Sequence, residues 1–339
     1  MVTICLAIWF CGCQKEVKNP EESLVIDLTR EYKDTTLHLT EFATDVRLIR
    51  LETNENCLMR RFWGHVGDKH IVSVGYDKVL QFSGDGRFVG KITQKGKGPG
   101  EFSQIDAWDV DDKEKYFYYH DKSKDYIHKY NLDNHQFEEK IPLAEKGGLE
   151  ELIVMNDTLL TMLRDMFSGH EHLYFYQSTS GRFIEGKKEE PIPHPGPWAG
   201  MSPIFKKSTD HTIIYQPSES DTVFRIEGSM MEPFLFFKQA EAEKKGNTTI
   251  TSYGAFLHRV GDKIFLVKSK SEKNISKYSA SIKNLDYQQM IFNMNSNDMY
   301  HIHSIGYEPL GIALNHSFRF SKNNLFVITY QAMDFKNKL

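Results

Sequence analysis

Residues 70–92 read HIVSVGYDKVLQFSGDGRFVGKI, and this stretch indicates how the chain folds. Two apolar runs enclose a polar turn, and Gly84-Asp85-Gly86 then precede a third run that begins at Phe88. Glycine and aspartate accept positive backbone φ angles at low cost, so this pattern is a strong hairpin signal. Within residues 79–82 the apolar side chains tend to recur at every second position, which is the period of a strand. The stretch therefore predicts antiparallel strands joined by tight turns.

The same unit of strands and turns recurs along the chain. An aromatic residue marks each copy after its last turn, and successive markers are 46 to 53 residues apart. The markers are Phe88, Phe137, Phe183, Phe234 and Tyr287. A period near 50 residues, with about four strands per unit, is typical of a β-propeller, which has ~4–8 blades. The best helix candidate, residues 237–245, is short, so the sequence predicts an all-β fold.

The two ends of the chain set the predicted number of blades. Five units carry markers, and a last pair of strands is expected at residues 311–320 and 324–330. Near the start, strand-like pieces occur at residues 24–29, 36–40 and 46–51. An N-terminal strand that completes the C-terminal blade would close the ring and remove two exposed edges. We therefore expect one domain over residues 23–339, a propeller of six blades, with seven as the alternative.

The first 13 residues, MVTICLAIWFCGC, have the character of an export signal. Their apolar run is too short for a bilayer span, which needs ~20 residues, but it suits the hydrophobic region of a secretory signal. The end of the run resembles the bacterial lipobox, with Gly12 as the small residue and Cys13 as the lipidated thiol. Phe10 replaces the usual leucine, and no basic residue precedes the run. Residues 14–22 would form a polar tether; the alternative is a buried N-terminal strand or helix with incidental cysteines.

Composition excludes several classes of function. The chain of 339 residues has 42 Lys and Arg against 46 Asp and Glu, a net charge of −4. Nucleic-acid binders usually carry a basic excess, so no nucleic-acid partner is expected. Outside the first 13 residues the only cysteine is Cys57. One thiol supports neither an intrachain disulfide framework nor a cysteine-based zinc site, and a packed thiol is the expected role.

Three motifs together resemble a known family. They are residues 48–53 (LIRLET), residues 82–88 (FSGDGRF) and residues 96–102 (GKGPGEF). In these motifs the chain is similar to the six-bladed propeller lipoproteins common in Bacteroidetes, and in outline to NHL-type repeats. The resemblance is strong in the first two blades and faint beyond residue 190. It implies a surface or periplasmic lipoprotein, often associated with glycan-acquisition systems, and leaves the chemistry open.

The glycine-rich loop allows two interpretations. Gly96, Gly98 and Gly100 permit tight backbone turns, and Pro99 stiffens the loop ahead of Glu101. A lysine among glycines also raises the question of a phosphate site. Phosphate-binding loops of the Walker type place Gly-Lys-Ser or Gly-Lys-Thr at the start of a helix, whereas strand-like sequence follows here. We interpret residues 96–101 as a structural loop between blades.

Histidines and carboxylates offer weaker candidates. The pairs His170/His172 and His301/His303 are spaced so that both members share one face of a strand, and a zinc site would need a third ligand. The acidic run at residues 109–112 lacks the spacing of an EF-hand calcium loop. A glycosidase needs two carboxylates ~5–9 Å apart, and the candidates nearest the glycine loop are Glu101, Asp106 and Asp109. Structural roles for these residues are the simpler interpretation, and no metal or cofactor is predicted.

Residues 191–198 (PIPHPGPW) differ from the rest of the chain. Four prolines cannot lie inside a β-ladder and should form a rigid extended loop. The loop carries His194 and Trp198, and an aromatic platform of this kind can stack on a sugar ring. A long connection that caps the core is the alternative.

The sequence as a whole predicts a non-catalytic binding or scaffold propeller at the bacterial cell envelope. Its partners would be the membrane, through the lipid on Cys13, and a glycan or an envelope protein, through His194 and Trp198. The alternative function is a metal-assisted hydrolase or lyase that uses the central channel of the propeller.

Overall fold

The computed structural model describes residues 24–38, 47, 49–59, 62–98, 100–138, 140–164, 171–189, 204–207, 212–217, 220–275, 280–307, 312–314, 319–320 and 326–327. Within these residues the regular structure consists of 27 strands and contains no helix. An all-β fold is therefore confirmed. The helix candidate at residues 237–245 instead covers the end of one strand and the whole of the next.

The strands follow one another in chain order. The first eleven are β1 (Leu24–Asp27), β2 (Lys33–His38), β3 (Gly64–Val66), β4 (His70–Val74), β5 (Lys78–Ser83), β6 (Phe88–Gln94), β7 (Ile105–Val110), β8 (Tyr116–Asp121), β9 (Tyr126–Asn131), β10 (Gln136–Phe137) and β11 (Ile141–Pro142). The next eight are β12 (Leu149–Met155), β13 (Thr158–Arg164), β14 (Glu171–Gln177), β15 (Phe183–Glu189), β16 (Ile204–Lys207), β17 (Ile213–Gln216), β18 (Thr222–Glu227) and β19 (Met230–Lys238). The last eight are β20 (Glu243–Lys245), β21 (Thr248–Val260), β22 (Lys263–Ile275), β23 (Ala280–Asn293), β24 (Asp298–Tyr307), β25 (Ile312–Leu314), β26 (Arg319–Phe320) and β27 (Phe326–Val327).

Successive strands pair as antiparallel meanders, and each meander forms a separate sheet. The first sheet contains β3–β6, the second β7–β11, the third β12–β15 and the fourth β16–β19. The fifth sheet contains β20–β24, and β25 pairs with β24. A further pair, β26 and β27, lies near the C-terminus. The period predicted from the marker residues is therefore the spacing of these sheets, whose arrangement is like that of propeller blades.

The predicted turn of the first unit has a specific steric requirement. Gly86 connects β5 to β6 with a φ angle of 92°, a conformation that side chains other than glycine rarely adopt. A Cβ atom at this position would lie 2.4 Å from the carbonyl oxygen of Arg50. Only glycine fits here, because the chain segment around residue 50 crosses directly over the hairpin.

The hydrophobic core is divided into layers, and each layer lies between two successive sheets. Burial of one large apolar side chain contributes about 1.5–3 kcal/mol, so each layer is a substantial source of stability. Pairs that represent the four layers are Val72 with Phe117, Tyr118 with Leu159, Leu160 with Tyr215, and Phe237 with Phe256. The strands β7, β12, β16 and β21 also lie side by side in that order. They are the inner strands of four consecutive sheets.

The buried carboxylate of Glu114 ties the second sheet to the first. It accepts hydrogen bonds from the backbone amides of Asp68, Lys69 and His70 at 2.9, 2.8 and 3.0 Å. Burial acts to raise the pKa of Glu114, but these hydrogen bonds outweigh it, and the pKa lies below its usual value. Polar ties of this kind fix neighbouring sheets at one relative position, which apolar contacts alone do not specify.

The N-terminal strands pair differently from our expectation. β1 pairs in parallel with β19 of the fourth sheet, and β2 pairs in parallel with β24 of the fifth sheet. Among the described residues neither of them pairs with β26 or β27, and the described part of residues 46–51 forms no strand. The edges that these strands cover belong to the fourth and fifth sheets. Period counting could not identify them, because every sheet has an outer edge.

The described residues contain no helix long and apolar enough to span a bilayer.

Candidate functional site

Five charged or titratable residues gather on the inner strands of the second to fifth sheets. They are Asp109 on β7, Glu151 on β12, Lys206 and Lys207 on β16, and His258 on β21. We call this set the inner-strand cluster. Each of the four strands lies against the next, so residues far apart in sequence meet at one place.

Lys207 is the central cation of the inner-strand cluster. Its ammonium group forms an ion pair with the carboxylate of Asp109 and donates a hydrogen bond to the carbonyl oxygen of Val110 at 3.0 Å. The Lys207 side chain is only 8% exposed and that of Asp109 15%. Asp109 also contacts the third sheet, because the backbone amide of Val154 donates a hydrogen bond to its Oδ2 atom at 2.7 Å. Asp109 therefore joins three sheets.

Glu151 has the most perturbed carboxyl group in the inner-strand cluster. Burial raises its pKa to about 7, and the nearby negative charge of Asp109 adds to the effect. Lys206 and Lys207 act in the opposite direction but do not cancel the increase. A carboxyl group with a pKa near neutrality can donate or accept a proton under physiological conditions. Glu151 is the residue best suited to acid–base chemistry in the described structure.

His258 contributes an imidazole that is kept neutral. Burial lowers its pKa to about 4, and the positive charge of Lys206 contributes to the decrease. The cluster thus combines two lysines, an aspartate, a glutamate with a raised pKa and a histidine with a lowered pKa. Such a set can hold a proton or a small polar group, but two of its charges already neutralise each other in the Lys207–Asp109 pair.

The predicted carboxylate Asp106 has a structural setting. Its Oδ1 atom lies 2.7 Å from Nδ1 of His120, and its Oδ2 atom accepts a hydrogen bond from the amide of Leu149 at 3.0 Å. Burial lowers the pKa of His120, but the hydrogen bond and charge of Asp106 outweigh it and the net change is upward. Asp106 thus links the second sheet to the third, as Asp109 does a few residues later.

The glycine-rich loop is closed by its own glutamate. Glu101 accepts a hydrogen bond from the amide of Gly98 at 2.7 Å and one from Nε2 of Gln94 at 2.8 Å. Both hydrogen bonds lower the pKa of Glu101, and the one from Gln94 has the larger effect. A Cβ atom on Gly96 would lie 1.9 Å from the Glu101 carboxylate, so a side chain at this position would displace the carboxylate. Gly100 has a φ angle of 78°, and Pro99 lies outside the described residues.

This geometry bears on the phosphate interpretation of the loop. A phosphate site needs backbone amides that point at the anion. Here the Gly98 amide points at Glu101, and the Gly96 amide donates to the carbonyl oxygen of Phe102 at 3.0 Å. The carboxylate of Glu101 occupies the position that an anion would need. The arrangement favours a structural loop.

The motifs at residues 48–53 and 82–88 contact each other. The amide of Glu52 donates to the carbonyl oxygen of Gly86 at 2.8 Å, and the Glu52 carboxylate accepts a hydrogen bond from the amide of Phe88 at 2.9 Å. Cys57 is buried in the same region and packs with Phe82. The LET segment is thus a strap across the first sheet, and the SGDG turn is the element to which it attaches.

The histidine pairs do not converge on a third ligand among the described residues. His172 lies near Glu145 and Tyr174, and His301 contacts Asp34 on β2 at 2.8 Å between Nδ1 and Oδ1. In the part of the chain that the structure describes, no group of three or more His, Cys, Asp or Glu side chains is arranged to hold a metal ion. His170 lies outside those residues.

Cys13, His194 and Trp198 all lie outside the described residues, as do the export signal and the tether. Conversely, sequence reasoning missed Glu151, Lys206, Lys207 and His258. No fixed spacing connects these four, since the inner strands occur at irregular intervals. The one available signal was the position of Asp109 shortly after the glycine-rich loop.

Comparison with known proteins adds a family and a fold. The model of a domain of unknown function, DUF4934, matches residues 23–339. The chain belongs to the DUF4934 family. No curated protein matches this DUF4934 chain.

Among the solved structures similar to the DUF4934 chain, one shares its fold. This is a Bacteroides fragilis protein described as exported. It aligns with a TM-score of 0.54 at 16% sequence identity, over 82% of this chain and 79% of that one. Kluyveromyces lactis Hsv2, with a TM-score of 0.36 at 12% identity over 66% and 72% of the two chains, is more distant. Kuenenia stuttgartiensis hydrazine synthase is also more distant, with a TM-score of 0.37 at 9% identity over 68% of this chain and 75% of that one. At these identities the first similarity concerns the fold alone.

Proposed function

We propose that this DUF4934 chain is an exported, lipid-anchored propeller that serves as a non-catalytic binding or scaffold protein of the bacterial cell envelope. The observation that carries the proposal is the Lys207–Asp109 pair. It commits the main charges at the inner strands to holding three sheets together. A structure stabilised at its centre in this way is suited to present loops at its surface rather than to admit a substrate to its middle.

Six blades are the finer form of the proposal. Five sheets pack in succession, and the chain beyond β24 supplies at least the pair β26 and β27 toward a sixth. The similarity to NHL-type repeats belongs to the same proposal. The first sheet also leaves a face on which a sixth sheet could pack. In the described residues, the face turned away from the second sheet contacts only a strap of irregular chain around Cys57.

Export and lipid anchoring rest on the first 22 residues, supported by the exported description of the Bacteroides fragilis protein. Expression of Cys13→Ser in a bacterial host tests the anchor. We expect the variant to move from the membrane fraction to the soluble fraction, while Cys57→Ser stays in the membrane fraction. Retention of Cys13→Ser in the membranes would contradict the anchor.

The proposed ligand is a glycan or an envelope protein that contacts the proline-rich loop through His194 and Trp198. Binding of the purified chain to a glycan array or to envelope extracts would be compared with that of a His194→Ala/Trp198→Ala variant. The control is Tyr76→Ala, because Tyr76 is a highly exposed aromatic residue, 82%, on the first sheet. Loss of binding in the double variant alone supports the site, and equal binding in all three proteins removes it.

The second candidate function is a metal-assisted hydrolase or lyase that uses the inner-strand cluster. The observation that favours it is the Glu151 carboxyl group, whose pKa of about 7 suits a general acid. Metal analysis of the purified protein and activity on a panel of polysaccharides would test it. Activity that is lost in Glu151→Gln and retained in Glu150→Gln would favour this function over the scaffold.

A further inference from the structure

The buried imidazole of His120 on β8 lies between two hydrogen-bond acceptors. Nδ1 is 2.7 Å from Oδ1 of Asp106 on β7, and Nε2 is 2.8 Å from the backbone carbonyl oxygen of Lys124. A carbonyl oxygen has no hydrogen to donate, so Nε2 must carry one. Oδ2 of Asp106 accepts a hydrogen bond from the backbone amide of Leu149 at 3.0 Å, and such a bond favours the ionised carboxylate. The contact at Nδ1 therefore needs a second ring hydrogen, which makes the ring an imidazolium ion.

A neutral imidazole does not satisfy both contacts. It carries one N–H group, so a lone pair on the other ring nitrogen would face either the Asp106 carboxylate or the Lys124 carbonyl oxygen at hydrogen-bond distance. Bulk water does not compensate for the mismatch, because the His120 side chain is 0% exposed. Two acceptors that face each other in a buried site are strongly unfavourable. Loss of one proton would therefore force the ring and Asp106 apart.

Asp106 and Leu149 both lie at irregularities of their strands. On β7 the pairing with β8 shifts between Ile105 and Ala107, so Asp106 is the extra residue of a β-bulge. On β12 the pairing with β13 shifts between Leu149 and Glu151. A bulge leaves backbone groups outside the ladder and changes the direction of a side chain. The carboxylate of Asp106 therefore holds the start of β12 at the point where the ladder is interrupted.

Charged groups on several segments act on the His120 ring. Burial opposes the positive charge, but the hydrogen bond and the charge of Asp106 outweigh it, so the pKa of His120 is raised. The Lys124 carbonyl and the charge of Asp121 act in the same direction as Asp106. His128 adds no positive charge near neutrality, because burial lowers its pKa to about 4. The other charged or titratable residues on the surrounding segments are Lys122 and Asp125 after β8, Tyr126 on β9, Glu145 and Lys146 before β12, and Glu150 and Glu151 on β12.

We propose that His120, Asp106 and Leu149 form a pH-sensitive latch between the second and third sheets. With the imidazolium ion in place, Asp106 is held at the amide of Leu149 and the latch is closed. When the pH rises, the N–H bond at Nδ1 breaks and its proton passes to water or buffer, so the Asp106 contact is lost and the start of β12 is released. The stabilisation is present below the pKa of an unfolded histidine, about 6.5, and is lost as the pH rises through the higher folded value. The latch acts on the strand that carries Glu151 of the inner-strand cluster.

The test follows the ring and the amide in the full chain by NMR. Nitrogen chemical shifts report whether one or both ring nitrogens of His120 carry a hydrogen, and hydrogen exchange reports the protection of the Leu149 amide. Each exchange rate is divided by that of an unstructured peptide at the same pH, which removes the direct effect of hydroxide. We expect His120 to carry both hydrogens at pH 6. Leu149 protection should fall about tenfold as the ring titrates, since one hydrogen bond to a charged group is lost.

Three variants separate the latch from other groups that titrate near neutrality. In Asp106→Asn the side-chain oxygen can still accept the Leu149 amide, but the ring loses its carboxylate, so the pH dependence of Leu149 protection should disappear. In Glu151→Gln, which removes the neighbouring titration on β12, the pH dependence should persist. His301→Gln removes a more exposed histidine–aspartate contact in the fifth sheet and should behave as wild type. Circular dichroism verifies folding.

The outcomes that contradict the latch are specific. A His120 ring with only one hydrogen at pH 6 overturns it, and so does Leu149 protection that stays constant while the ring titrates. It is also overturned when the pH dependence persists in Asp106→Asn or disappears in Glu151→Gln, because Glu151 would then be the responsible group. Should Asp106→Asn fail to fold, the titrations of wild type and Glu151→Gln decide between these results.

Discussion

Lys207 of the fourth sheet is paired with Asp109 of the second sheet, although the third sheet lies between these two in the succession. The ammonium group of Lys207 also donates a hydrogen bond to the carbonyl oxygen of Val110, and the Asp109 carboxylate accepts one from the amide of Val154. One ion pair therefore fixes the relative positions of three sheets. This relationship makes the inner strands a structural centre, whatever else they do.

Removal of Lys207 should destabilise the fold strongly. Lys207→Met leaves the carboxylate of Asp109 buried without its cation, a situation that typically costs about 3–5 kcal/mol. We expect the lower part of this range, because Asp109 retains its hydrogen bond from Val154. Urea denaturation measures the effect. In the double variant Lys207→Met/Asp109→Asn the loss should be smaller than the sum of the single losses.

An exposed ion pair provides the comparison. Lys146 and Asp125 are 2.6 Å apart, but their side chains are 83% and 55% exposed. Lys146→Met should leave the urea midpoint almost unchanged, because water screens such pairs. Equal effects of Lys146→Met and Lys207→Met would show that the Lys207–Asp109 pair does not tie the sheets together.

Glu151 should make the fold less stable as the pH rises toward neutrality. Its pKa is about 7 in the folded chain, and near 4.3 in an unfolded chain. Between these values the folded chain binds more protons than the unfolded chain, so the free energy of unfolding falls with rising pH. The contribution of Glu151 to this fall is on the order of 1–3 kcal/mol between about pH 4.5 and 7.

Variants isolate the Glu151 contribution. In Glu151→Gln that part of the decrease is absent, and the variant should be more stable than wild type at pH 8. Glu150→Gln changes the exposed neighbour and should follow the wild-type profile. Urea denaturation at pH 5 and pH 8 distinguishes them; parallel profiles for Glu151→Gln and wild type would refute the assignment.

Glu114 should make the fold sensitive to acid. Its pKa is lowered by three amide hydrogen bonds that outweigh burial. The stabilisation is present above the pKa of an unfolded glutamate and is lost as the pH falls through the lower folded value. Glu114→Gln weakens the tie to residues 68–70 and should cost about 1–3 kcal/mol at pH 7. The difference from wild type should shrink when unfolding is measured below pH 4, and a constant difference would contradict this account.

Glu101 should control the order of the glycine-rich loop. Glu101→Ala removes the acceptor of the Gly98 amide, so we expect hydrogen exchange at Gly98 to become faster. Exchange at the Phe102 amide, which donates to the Gln94 carbonyl oxygen at 3.1 Å, should change less. Lys97→Ala is the matched control within the loop and should leave both rates near those of wild type. An unchanged Gly98 rate in Glu101→Ala would mean that the loop is held by other contacts.

The repeat of strands and turns could be predicted from the sequence because its signals are local. The hairpin at Gly84–Gly86 and the aromatic markers depend on residues close to one another in the chain. The partners of β1 and β2 could not be predicted, because parallel pairing with β19 and β24 depends on which edges remain free after the sheets have formed. Local pattern carries no information on that choice.

The candidate site also combines residues with a local sequence signal and residues without one. Asp109 was selected from its position after the glycine loop, but its partner Lys207 is almost 100 residues further along the chain. The raised pKa of Glu151 likewise depends on burial between sheets, which no motif encodes. The function of Glu101 could be anticipated in outline, since a carboxylate that follows Gly-x-Gly-x-Gly within the same loop can reach the loop amides.

Parallel pairing of β2 with β24 has a consequence for the order of assembly. Asp34 and His301, which contact each other across this pair, are 267 residues apart. During synthesis from the N-terminus, β1 has no partner until β19 has been made, and β2 has none until β24 has been made. Contacts of such long sequence separation form slowly, because a large loop must close first. β2 is therefore incorporated late, and a chain truncated before β24 leaves the backbone amides and carbonyls of β2 without the pairing that β24 supplies.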